Sequence, residues 1–213
     1  MNDVRRDKLK APTLLQQLRS ATRAHHHALD HHPELQRLLR PELTFEGYGR
    51  SLLAMHAPQA ALEGAVVEGA THLGLAERLS PRRLPALEAD LAALGVSPPD
   101  ANVWPRLPKP RTDAELLGFR YVLEGSRLGA EVIVRRLRDT LGDTAPLSFF
   151  SAPDGNRHWC EFVDDLTSLP LTEEGQRDAV AAACRAFAAY QVGLGGSEPG
   201  SAMMASSGMG LAK

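Results

Sequence analysis

The stretch LRSATRAHHHALD, residues 18–30, decides how the chain is read, because it carries both a helical stripe and most of a histidine cluster. Five of the eight histidines fall between Arg23 and His32. Thr13-Leu14-Leu15-Gln16 just upstream has the form of a capping box, in which Thr13 meets the third amide of a helix and Gln16 reaches back. A helix is therefore predicted from about Leu14 to about His31, where Pro33 biases the preceding residue out of helical geometry. Leu18, Thr22, His25 and Leu29 recur at the 3.6-residue period and define its apolar stripe. His26 lies at the edge of that stripe, and His27 points to water.

A ligand wedged between two helices meets the stripe's edge, so His26 is the candidate ligand. Asp30 stands four residues on, within reach of the same ring, as partners of metal-bound imidazoles do. Arg19 precedes His26 by seven residues on the same flank, about 10.5 Å along an ideal helix. Axial imidazole plus a peripheral cation for carboxylates is the pattern a haem requires. The competing reading is that an interior histidine simply packs. His27 and His31, at i and i+4, form a second and weaker pair for a divalent ion.

Outward from this helix, the chain reads as helical throughout. Thr44 caps a long run over residues 45–70, with a kink expected about Pro58. Ser80-Pro81 opens a third helix that Gly95 stops. Residues 96–111 are proline-rich and read as a surface loop. Thr112-Asp113-Ala114-Glu115 is a second capping box, opening the longest helix, which continues to Gly142. Further helices are predicted over 155–169 and from the Thr172 cap to about Val192, with no convincing strand. Residues 1–12 are expected to be a flexible N-terminus, 13–192 a single all-α domain, and 193–213 a disordered tail.

Composition excludes some classes. A net charge of −2 with scattered Lys and Arg gives no electrostatic footprint for nucleic acid. No stretch of about 18 apolar residues suggests a membrane span, and the N-terminus lacks a signal-peptide core. Cys160 and Cys184 form no CxxC pair, which fits a reducing, cytoplasmic setting.

Gly125-Ser126-Arg127-Leu128-Gly129-Ala130 places small residues in the middle of the longest helix. Each glycine there costs about 0.5–1 kcal/mol relative to alanine. Two explanations stand. The helix crosses another at close range, or its backbone kinks and approaches a flat ligand with no Cβ in the way.

These two stretches also carry a resemblance. LRSATRAHHHALD resembles the proximal helix of haem oxygenases, and YVLEGSRLGAEVI, residues 121–133, looks like their distal helix in the bacterial form that accompanies bacteriophytochromes. The resemblance implies a single-domain helical bundle with haem b, both cofactor and substrate, between a proximal and a kinked distal helix. It implies oxidative opening of haem to biliverdin, by default the alpha isomer, with release of CO and ferrous iron. Dioxygen is then the oxidant, a ferredoxin or reductase the electron donor, and a bacteriophytochrome a possible recipient of the bilin. His26 falls on the axial iron ligand, Asp30 on an acidic neighbour, Arg19 on a propionate-binding cation, and Tyr121 near a propionate. Gly125 and Gly129 match the distal glycines, with Ser126 between them where animal members have an aspartate. Ala130 replaces a frequent glycine. The basic residues that animal members carry on the penultimate helix have no clear counterpart, which leaves Arg111, Arg157 and His158 as further cations. Two rival readings are a haem carrier or sensor that leaves haem intact, and a thiaminase-type enzyme, which needs a base beside Cys160 or Cys184.

Overall fold

The computed structural model describes residues 12–98, 107–151 and 154–195. The expected N-terminal arm before Pro12, the middle of the proline-rich loop and the tail beyond Gly195 lie outside the described residues. Among the described residues every regular element is helical: α1 (Leu14–Ala21), α2 (Arg23–Asp30), α3 (Pro33–Arg37), α4 (Phe45–Leu73), α5 (Leu84–Ala93), α6 (Asp113–Leu128), α7 (Ala130–Leu141), α8 (Gly155–Ser168) and α9 (Glu173–Gly195).

The caps read from sequence form as expected. Thr13 accepts from the Gln16 amide while its own amide donates to the Gln16 side chain. Thr44 accepts from the Gly47 amide, Thr112 from Glu115 and Thr172 from Gly175, each at 3.1–3.2 Å. A hydroxyl at these positions satisfies an orphan amide that the first helical turn leaves unpaired.

The departures have local causes. The first predicted helix is two, broken at Thr22, whose backbone sits at φ −92° and ψ 2°. The buried Thr22 hydroxyl donates to the Leu18 carbonyl at 2.8 Å. Such back-bonding to the preceding turn bends helices. Pro33 does not only end a helix; as the first residue of α3, capped by the His32 ring at 3.3 Å, it begins one. No break interrupts α4 at Pro58, although a kink is expected there, and its ring packs against Gly193 of α9. The third helix starts at Leu84, later than Ser80-Pro81 suggests, because its cap comes from elsewhere. Glu63 of α4 accepts from the amides of Arg83 at 2.7 Å and Leu84 at 3.2 Å. Residues 193–195 continue α9 rather than starting a tail, and Leu194 is buried.

The α6–α9 pair is the most extensive helix contact. Gly118 makes it possible. A Cβ there would lie 2.2 Å from the Ala179 carbonyl oxygen and 2.8 Å from the Ala182 Cβ. Around this crossing, Leu18, Leu62, Val66, Leu117, Phe162 and Phe187 form one apolar core, while Tyr48, Leu52, Leu87, Leu91, Phe149 and Leu194 belong to a second. Burial of such side chains contributes about 25 cal/mol per Å² of apolar surface removed from water. Helices α1 and α2 lie across α9, which sets the histidine cluster beside α6.

Candidate functional site

The five clustered histidines separate by environment. The His25 ring is tied to α9: its Nδ1 lies 3.1 Å from Gln191 Oε1, the ring stacks on Phe187 at 5.8 Å, and the Gln191 amide donates to the His25 carbonyl. This is the satisfied packing histidine. Next to it, His26 packs edge-on against Phe187 at 4.6 Å and Tyr121 at 6.3 Å between ring centroids. No described residue hydrogen-bonds either of its ring nitrogens. Desolvation pushes the His26 pKa below its ordinary value, the Asp30 charge partly restores it, and neighbouring His25 lowers it again. At neutral pH the ring is therefore an uncharged imidazole with a lone pair to give.

His27 and His31 stack on one another at 4.1 Å, and His31 Nδ1 donates to the His27 carbonyl at 2.8 Å. His32 is used as the α3 cap. Among the described residues no three His, Cys, Asp or Glu side chains gather as a donor set. The cluster is thus one available and exposed imidazole, one packed ring, one cap and one exposed stacked pair.

Tyr121 joins α2 to α6. Its hydroxyl lies 3.4 Å from that of Thr22, and its ring sits 6.0 Å from Trp159, on α8. Trp159 is also what a Cβ on Gly125 would first meet, at an ordinary 3.8 Å. A Cβ on Gly129 would meet nothing within 4 Å. These two glycines therefore serve no helix crossing; that explanation holds for Gly118 instead. Gly125 stands beside Trp159, whose ring neighbours Tyr121 and, through it, His26, while Gly129 is exposed. The longest predicted helix breaks at Gly129 (φ −73°, ψ −13°) into α6 and α7, so the kink expected from the glycines is a true interruption.

The other expected site residues are placed less centrally. Arg19 is exposed on the last turn of α1 with no partner among the described residues, and the bend at Thr22 separates it from His26, so their straight-helix spacing does not apply. Asp30 makes no hydrogen bond to His26 and acts on it through charge alone. Tyr121 is buried with its hydroxyl toward Thr22. The Ser126 hydroxyl donates to the Leu123 carbonyl at 2.7 Å and accepts a short hydrogen bond from Arg83. Arg157 pairs with Asp154 at 2.9 Å and Glu161 at 3.8 Å, and His158 is buried beside Glu161. Arg157 also lines an open cleft of 820 Å³ between α7 and the start of α8, together with Arg135 and Arg138. Arg111 borders a separate cavity against α9.

Sequence reasoning missed Phe187 and Trp159, which wall the site, and Arg83 with Glu63, which hold the broken helix. Only their long-range packing reveals them.

The fit to a flat macrocycle is good on one axis. A neutral imidazole without a hydrogen-bond partner stands on one helix, bare glycine backbone lies on another, and aromatic rings connect them. An all-helical bundle with this pairing defines a class of proteins that grip a planar ligand between two helices. A family model described as Heme oxygenase matches residues 12–194, and the chain belongs to the haem oxygenase family, enzymes that cleave haem oxidatively. It is 36% identical over 115 residues to a haem oxygenase of Xanthomonas campestris pv. campestris, covering 53% of this chain and 67% of that one. It is 35% identical over 117 residues to haem oxygenase PigA of Pseudomonas aeruginosa, covering 54% of this chain and 57% of that relative. Among solved structures, the NO- and CO-bound haem oxygenase of Neisseria meningitidis superposes with a TM-score of 0.66 at 26% identity, covering 88% and 92% of the two chains. The haem oxygenase of Leptospira interrogans superposes at 0.67 with 20% identity, covering 86% and 98%, a likeness of fold. Among the described residues no helix is long and apolar enough to cross a membrane.

Proposed function

We propose that this chain opens haem to biliverdin, the alpha isomer by default; His26 would hold the iron and the Gly125–Gly129 backbone would pack against the macrocycle. The observation that carries this reading is the neutral, unbonded His26 imidazole linked through Tyr121 and Trp159 to the bare backbone at Gly125, with Gly129 open beyond it. When bound, haem supplies the iron at which dioxygen is reduced and is also the ring that is cut, with CO and ferrous iron as the other products.

The chain's own residues then have separable tasks. His26 donates its lone pair, and Phe187 fixes the ring's tilt by edge contact. The Asp30 charge raises the basicity of that nitrogen without locking it by a hydrogen bond. Gly125 and Gly129 let backbone approach where any side chain would stand between the helix and the ligand. The Ser126 hydroxyl proton is already engaged with the Leu123 carbonyl, so proton delivery on this side rests on backbone groups and ordered water. Arg19, exposed and unpaired among the described residues, is the cation available to a propionate. Electrons come from a ferredoxin or reductase, and the bilin suits a bacteriophytochrome. The domain that does this spans about residues 13–192, in a reducing, cytoplasmic setting.

The test is an absorption spectrum of the protein with haem, followed after adding ascorbate in air. The expected result is a Soret band that decays into a broad red biliverdin band. It fails to form in His26→Ala and forms normally in His25→Ala. A band that forms and persists points to a carrier; a band unaffected by His26→Ala refutes the ligand assignment.

A further inference from the structure

The two hydrogen bonds that hold the end of α6 come from one short segment. Arg83 donates to Ser126 Oγ, and the next residue along the helix, Arg127, donates to the Pro81 carbonyl at 2.6 Å. We infer that Arg83 is a positioning residue for the haem-opening reaction, pinning the last turn of α6 through Ser126 so that the bare backbone at the Gly129 break is held in place beside the ligand. This rests on the function proposed above.

The chemistry at Ser126 shows how the pin grips. A serine hydroxyl has one proton, and here it goes to the Leu123 carbonyl at 2.7 Å. That carbonyl lies inside α6, which stays helical to Leu128, so the hydroxyl is anchored just before the break at Gly129. Arg83 fixes it there by donating to its lone pair. At the earlier break Thr22 is bonded to Leu18 in the same way, with Tyr121 as its second partner.

Arg83 itself has little freedom. It is 4% exposed, its guanidinium lies 4.7 Å over the Phe149 ring, and its amide is fixed by Glu63. Glu63 is saturated in turn by the Gln59 amide at 2.8 Å, Arg82 at 3.2 Å and the Leu84 amide. Lysine cannot substitute fully, since the site uses a plane that stacks on Phe149 and reaches Ser126 at once.

The experiment compares wild type, Arg83→Met, Arg83→Lys and Ser126→Ala. Amide hydrogen exchange on the haem-free protein reads the break directly. Arg83→Met is expected to speed exchange of amides 127–131 by about tenfold, the ratio implied by losing one buried charged hydrogen bond, while α9 is unchanged. Arg83→Lys should fall between. With haem added, the ratio of biliverdin isomers should broaden in Arg83→Met while KM for haem stays near wild type. Unchanged exchange at 127–131, or a rise spread evenly over all helices, overturns the pin. Local loosening with an unaltered isomer ratio overturns the role in the reaction. If wild type itself leaves haem intact, the proposed function falls and takes the reaction role with it, whereas the exchange data still decide the pin.

Discussion

Gly129→Ala separates the ligand's requirements from the fold's. The residue has helical backbone angles, φ −73° and ψ −13°, that alanine adopts without strain, and the added Cβ meets nothing within 4 Å. Replacing glycine by alanine at a compatible position stabilises by about 0.4–1 kcal/mol, because the unfolded chain loses freedom. For a chain of this size that is a Tm rise of roughly 1–4 °C in the haem-free protein. The same methyl projects into the open space assigned to the ligand, so haem binding or turnover should weaken. Thermal melts of apo protein and haem titration of the same variant test both halves. A fall in apo Tm would show that the break needs glycine for conformation, and a stabilised variant with unchanged haem turnover would refute the placement of the ligand against this face.

Gly118→Ala should do the reverse. Its Cβ collides with backbone of α9, so overpacking of about 1–3 kcal/mol applies near its upper end, with up to ~1 kcal/mol returned by helix propensity. The net loss of about 2 kcal/mol is a Tm drop of roughly 4–8 °C, read in the same melts. Asp30→Asn removes the charge that raises the His26 pKa, so the imidazole stays neutral further into acid. Haem affinity measured against pH should be lost below the ordinary histidine range in wild type, as the protonated ring can no longer bind iron, and at still lower pH in the variant. An acid limb that moves upward would overturn the sign. Glu63→Ala leaves the α5 amides and Arg82 without their acceptor and should cost about 3–5 kcal/mol in denaturant unfolding, against about 1–3 kcal/mol for Glu63→Gln.

Much of this was legible from residues alone, and the failures share a cause. Thr13, Thr44, Thr112 and Thr172 announce helix starts because a cap is satisfied within three residues. His26 stands out from His25 by its place at the edge of a helical stripe, a local property. The glycines near 125–129 pointed to a kink for the same reason. Gly118, in the same helix, gives no such signal; its necessity lies in the Ala179 carbonyl far along the chain. The start of α5 is not legible locally because its cap, Glu63, is 21 residues upstream of Leu84. Ser126 reads from sequence as the residue between two glycines, and only Arg83, 43 residues away, shows what holds it.

The close crossing of α6 and α9 also has a consequence for biosynthesis. Translation delivers the histidine cluster well before Phe187, which sets the tilt of His26. Until Ala179 and Ala182 have emerged, the groove beside Gly118 has nothing to close on it and α6 keeps its apolar side wet. A nascent chain meeting free haem before that point would offer loose imidazoles rather than an ordered pocket, so productive loading belongs after α9 has emerged. Shortening α9 from its C-terminal end should then yield aggregation rather than a merely slower enzyme.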